Sequence, residues 1–199
     1  MLQSLGARVM RNTLGVTENV LVSLKQVFET RVERAARVLE SPEAGPKSIK
    51  FSSADLSDPG TLAQLHGQFP RKKPGAFYLY QLSFDGEEKT VASRARRAFR
   101  GVRATGTRNM SRDNKDHQES NSLYVGTSES MHDRFRTHLG RGEGTKTWAL
   151  YLSAWAVPLK AEFVVEYYEF KETIAEDVEL IEGVLWDSLR PLFGKKGGK

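Results

Sequence analysis

Leu123-Tyr124-Val125-Gly126-Thr127, followed closely by Met131-His132-Asp133-Arg134-Phe135-Arg136-Thr137-His138, is the stretch whose reading decides the fold. Residues 122–126 read as a strand and residues 130–139 as a helix stopped by Gly140. Working outward, Ala76-Phe77-Tyr78-Leu79-Tyr80-Gln81-Leu82 is aromatic-rich and predicts an earlier strand. Phe163-Val164-Val165-Glu166-Tyr167-Tyr168 is β-branched and aromatic and predicts a later one. Residues 145–154 read as a helix, and residues 174–189 as a closing helix with Val178, Ile181, Val184, Leu185 and Leu189 on its buried face, ahead of Pro191. The order β, β, α, α, β, α predicts an α/β fold, a small three-stranded antiparallel-type sheet flanked by helices.

The first 70 residues differ in character. Val20, Leu21, Leu24, Val27, Phe28, Val32, Ala35 and Leu39 recur at helical spacing, so residues 17–39 form an amphipathic helix. Its stripe is expected to pack on its own domain or on the twin helix of a homodimer. A linker is expected at residues 42–46, and a short helix at residues 60–65 after Pro59. The division is then a helical N-terminal extension over residues 1–70 and a main domain over residues 71–199. The two tyrosine-bearing strands are separated by about forty residues with no strong period, a length that in compact domains is functional or disordered.

Composition narrows the chemistry. With 199 residues, 39% of them hydrophobic and 28% charged, the chain is long and apolar enough to bury a core. It has no cysteine, which excludes disulfides, thiolate metal sites and a cysteine nucleophile, and a reducing cytoplasm fits. No apolar run approaches the ~20 residues that span a bilayer, and residues 1–13 lack a secretory signal's apolar stretch, so no membrane association is expected. Net charge is +5, but Lys89, Arg94, Arg96, Arg97, Arg100, Arg103, Arg108 and Arg112 add eight positive charges with no intervening acid, leaving the rest at −3. Basicity concentrated in one insertion, at about residues 89–120, suits a polyanion; a solubilising loop is the alternative on composition alone.

Ala76-Phe77-Tyr78, then Leu123-Tyr124-Val125-Gly126-Thr127, then Arg134 eight residues beyond the glycine and His138 one turn further, resembles the GIY-YIG nuclease domain. Leu180-Ile181-Glu182 and Pro191-Leu192-Phe193 carry the resemblance to about residue 195. It implies a metal-dependent endonuclease acting on DNA, with Tyr78, Tyr124, Arg134, His138 and Glu182 converging on one site. RNA stays open as a substrate, as does a restriction, repair or mobile-element role.

The residue types suit that chemistry. Phosphodiester cleavage needs an activated water, charge neutralisation on the phosphate and stabilisation of the leaving oxygen. Glu182 is a hard oxygen ligand for one Mg²⁺ or Mn²⁺ that keeps most of its water, with Glu179 three residues away as the alternative. Arg134 offers a permanent planar cation. Tyr78 and Tyr124 could position the attacking water or, with positive charge nearby, accept its proton. Arg134 and His138 share a helix face, and Gly126 permits close backbone approach. His66, His117 and His132 show no metal-ligand spacing. Arg94, Arg96, Arg97, Arg100, Arg103 and Arg108 are expected to grip the substrate backbone. Two positions depart from the family: Ala76 stands in place of a glycine, and Gly194 in place of an asparagine that typically supports the site's backbone. Gly194 leaves a catalytically weak or inactive nucleic-acid-binding module as the rival reading.

Overall fold

A computed structural model describes residues 18–40, 46–86, 89–117, 120–142, 148–171 and 173–197. Among them are helices α1 (Glu18–Leu39), α2 (Pro59–Gly67), α3 (Lys89–Ala104), α4 (Met131–His138) and α5 (Ala175–Leu189). Strands β1 (Lys47–Ser52), β2 (Ala76–Phe84), β3 (Ser122–Ser128) and β4 (Glu162–Lys171) form one antiparallel sheet in the order β1-β4-β2-β3. The three expected strands are therefore joined by a fourth. β1 lies within the stretch expected to be a helical extension, and it pairs along β4 from Lys47 opposite Tyr167 to Ser52 opposite Glu162. Its short alternation, Ile49 and Phe51 inward, becomes informative only against the partner that covers its edge.

β2 is buried almost throughout because helices cover both sheet faces. On one face Tyr78, Tyr80, Leu82 and Phe84 join Phe163, Val165 and Tyr167 of β4, Ile49 and Phe51 of β1, and side chains from α2, α3 and α4. On the other, Leu79 and Phe170 meet Ala35 of α1 and Val178 and Ile181 of α5. The C-terminal half of α1 is also tied by charge, with Arg34 paired to the buried Asp177 at 3.1 Å. Toward its start, α1 leaves Val22, Val27 and Phe28 exposed.

Two other expectations change. The Arg-rich stretch is helix α3, not a loop: Val91, Ala92, Ala95 and Phe99 bury one stripe, and Phe99 stacks on Phe193 at 4.1 Å. The expected helix at residues 145–154 is absent over its described part: Ala149 bridges to Met110, Tyr151 takes a left-handed φ of 52°, and only a short 3-10 turn, Leu152–Ala154, follows. Residues 143–147, and residues 42–45 of the expected linker at 42–46, lie outside the described residues.

Candidate active site

Helix α4 begins where Ser130 caps it: its Oγ accepts from the Asp133 backbone N–H and donates to the Asp133 carboxylate. That start fixes the phase of the helix, so Arg134 and His138 point together at β2 and β3. Arg134 Nε donates to the Tyr80 hydroxyl oxygen at 2.9 Å, and Arg134 Nη2 donates to the Tyr124 hydroxyl oxygen at 2.6 Å. One guanidinium thus spans two phenols whose rings stack at 6.1 Å.

The Leu150 N–H donates to His138 Nδ1 at 3.3 Å, which assigns the ring proton to Nε2, 3.1 Å from the Tyr80 oxygen. The Tyr80 oxygen therefore accepts from Arg134 and His138, and the Tyr124 oxygen accepts from Arg134. Both hydroxyls keep their own hydrogen to give, so the cluster is rich in donors and suits an anion. Burial, with the Arg134 charge adding to it, holds His138 well below the ordinary histidine range, so it is neutral at pH 7. Burial also pushes the Tyr80 phenol above its usual value, more than the Arg134 charge pulls it down. A proton-accepting role for that tyrosine is opposed by its surroundings; orienting a water or phosphate oxygen is not. Burial works against the Arg134 charge, but the two phenol oxygens more than offset it and hold the guanidinium above its ordinary pKa.

Tyr78 stands elsewhere. It shares a sheet face with Tyr80, but its buried hydroxyl lies beside the Glu169 and Lys73 charges and not at Arg134. Its ring meets Tyr167 edge-on at 6.2 Å. The tyrosine that joins Arg134 is Tyr80, two residues on. The alternation of Tyr78-Leu79-Tyr80 was the signal for it, since both tyrosines project the same way.

Glu182 lies on α5, which covers the opposite face of the sheet from Tyr80 and Tyr124. Thr127, beside Gly126 on edge strand β3, donates its hydroxyl to Glu182 Oε2 at 2.8 Å. Glu182 is 7% exposed, whereas Glu179 is exposed to solvent, so Glu182 is the inward member of the pair. Burial raises the Glu182 carboxyl above its ordinary pKa; the Thr127 bond lowers it, the Glu179 charge raises it and the Arg134 charge lowers it. Among the described residues no three His, Asp or Glu side chains stand together as a metal site. A hard divalent ion that keeps most of its water and takes the rest from a phosphate needs only one or two carboxylates, and Glu182 meets that minimal demand.

Glycines let the backbone close in. A Cβ on Gly126 would lie 2.8 Å from the Tyr80 hydroxyl, and one on Gly194, where φ is +104°, would lie 2.9 Å from the Tyr124 ring. The segment carrying Gly194 is held by the inserted residues: Asn114 Nδ2 donates to the Pro191 carbonyl at 3.0 Å, and the Gly194 N–H donates to the Arg112 carbonyl at 2.8 Å. Support for this backbone thus comes from Asn114, far away in sequence.

The arginines of α3 divide by partner. Arg96 is 8% exposed, donates to the Asn114 carbonyl at 2.7 Å and pairs with Asp113, which Arg100 also holds. Arg94, Arg97 and Arg103 are exposed. Arg108 lies over the Tyr151 ring at 5.1 Å. Sequence reading missed Tyr80, Thr127, Asp113, Asn114 and Tyr151. No helix among the described residues is long and apolar enough to cross a membrane. No family model, curated protein or solved structure matches the chain.

Proposed function

We propose that this chain is a metal-dependent endonuclease of GIY-YIG type that hydrolyses phosphodiester bonds in DNA. The observation that carries the reading is Arg134 bonded at once to the Tyr80 and Tyr124 hydroxyls. A phosphate entering there meets a permanent cation and two hydroxyl donors fixed before it arrives, which lowers the reorganisation needed as charge develops. Tyr80, oriented by Arg134 and His138, places its hydroxyl hydrogen toward a phosphate oxygen or the attacking water. Thr127 holds Glu182 in one orientation. Mg²⁺ or Mn²⁺ held by Glu182 would supply neutralisation of phosphate charge and a lowered pKa for water bound to it.

The water oxygen bonds to phosphorus as the bond from phosphorus to the leaving oxygen breaks, and that oxygen takes up a proton. Arg94, Arg97 and Arg103, exposed on α3, are assigned to the nucleic-acid backbone, giving affinity that falls with salt and depends little on sequence. A second copy docking on Val22, Val27 and Phe28 of α1 would give the homodimer.

The test is nicking of supercoiled plasmid with Mg²⁺ or Mn²⁺, for wild type and for Arg134→Ala, Glu182→Ala and Tyr80→Phe. Metal-dependent nicking by wild type that all three variants lose supports the reading. The rival, a binding module without chemistry, is favoured by the close cover of Glu182, where a Cβ on Gly197 would stand 3.1 Å from the carboxylate. Wild type that binds DNA but nicks nothing selects that rival.

A further inference from the structure

The inserted segment after α3 does more than add charge. Ser111 N–H donates to the Ala149 carbonyl and Ala149 N–H donates to the Asn109 carbonyl, so residues 109–111 run beside residue 149. That pairing sets the Arg108 guanidinium over the Tyr151 ring at 5.1 Å, and leaves Arg108 Nη1 buried with no hydrogen-bond partner. Tyr151 is wholly buried in a left-handed backbone conformation, φ 52° and ψ 54°, which a bulky residue adopts only when its surroundings enforce it. They do so on both sides of Leu150: its N–H bonds His138 Nδ1, and its carbonyl accepts from the Trp155 indole at 2.7 Å. The loop that orients His138 is thus the loop that presents Tyr151 to Arg108. Through Leu150 the Tyr151 loop is bonded to His138, one helical turn from Arg134, while Arg108 lies over the Tyr151 ring. A buried cationic N–H without an acceptor is costly and calls for a ligand.

We propose that Arg108 is a second phosphate-binding guanidinium, fixed by the Tyr151 ring, and that it holds a neighbouring phosphate of the nucleic-acid strand whose scissile phosphate lies at Arg134. This rests on the nuclease reading above and gives the inserted segment a part in substrate binding.

The experiment uses the full chain, plasmid nicking, and anisotropy with a labelled duplex oligonucleotide over a salt series. Arg108→Gln is expected to lower kcat about 10²-fold and to reduce the salt slope by about one. Arg108→Lys, which keeps the charge but not the fork, should recover affinity more than rate. Arg37→Gln on distant α1 is the charge control and should keep both. In oligonucleotide affinity, Arg108→Gln and Arg134→Gln should be non-additive because they share one strand. Equal kcat for Arg108→Gln and wild type, with unchanged salt slope, overturns the inference while the nuclease reading stands. If wild type nicks no substrate, that reading fails, and the inference is decided on binding: non-additivity sustains it and additivity overturns it. Unchanged denaturation midpoints for the Arg108 variants are required for these comparisons.

Discussion

Gly194 offers the sharpest mechanical test of the site. Its φ of +104° is one that L side chains rarely adopt, and a Cβ there would stand 2.9 and 3.1 Å from two carbons of the Tyr124 ring. The ring has nowhere to go: it stacks on Tyr80 at 6.1 Å, meets His138 at 4.6 Å and is tied through its hydroxyl to Arg134. Gly194→Ala therefore adds a backbone penalty of about 1–2 kcal/mol to an overpacking penalty of about 1–3 kcal/mol. The sum, about 2–5 kcal/mol, is a large part of the roughly 5–15 kcal/mol that holds a domain folded. Equilibrium urea unfolding followed by circular dichroism reads it as a lower midpoint with unchanged slope. Gly101→Ala is the control: Gly101 sits inside α3 with ordinary φ and nothing within 4 Å of an added Cβ, so it should gain about 0.5–1 kcal/mol. A Gly194→Ala protein within about 0.5 kcal/mol of wild type would refute the reasoning. It would mean that the C-terminal segment does not press on Tyr124.

Tyr78→Phe removes a hydroxyl that lies beside Lys73 and Glu169 and should leave metal-dependent nicking intact, while Tyr80→Phe should abolish it; equal loss of nicking in both would sink the assignment of Tyr80 over Tyr78. Burial lowers the pKa of His138 and His66, so in the pH range below about 6.5 the unfolded chain binds protons that the folded chain refuses. Stability is then full above that pH and falls as pH drops, with a slope approaching about 1.4 kcal/mol per pH unit from His138 and a smaller addition from His66. His138→Gln should flatten this slope when unfolding midpoints are measured between pH 5 and 7, and an unchanged slope counts against a buried neutral imidazole. Arg96→Ala removes one of the two partners of the buried Asp113 and orphans the Asn114 carbonyl, and should cost about 1–3 kcal/mol. Arg97→Ala should leave unfolding unchanged and only weaken DNA binding; equal thermal shifts in the two would contradict the division of the α3 arginines.

The local pattern of the sequence was enough for β2, β3, β4, α1, α4 and α5, because each is either a β-branched and aromatic run or an apolar stripe of helical period. It failed at α3, where the run of arginines drew the reading toward an insertion without period, although Val91, Ala92, Ala95 and Phe99 recur between them at helical spacing. β1 is six residues long and gains its meaning from β4, more than a hundred residues away, which no local pattern can announce.

The site divides the same way. Spacing alone placed Arg134 and His138 on one helix face, and it was packing that set the pair against Tyr124 on β3. It could not choose between Tyr78 and Tyr80, since a period of two sends both to the same side of β2. Tertiary packing made the choice: α4 covers Tyr80 and supplies two N–H donors to its oxygen, while Tyr78 is left beside Lys73 and Glu169. Packing likewise decided that Glu182 turns inward and Glu179 outward, that Arg96 is structural while Arg97 meets solvent, and that Arg108 meets Tyr151. Residue type and period fix which way a side chain leaves its own backbone. What it meets there depends on elements distant in the chain, and only the folded structure brings those together.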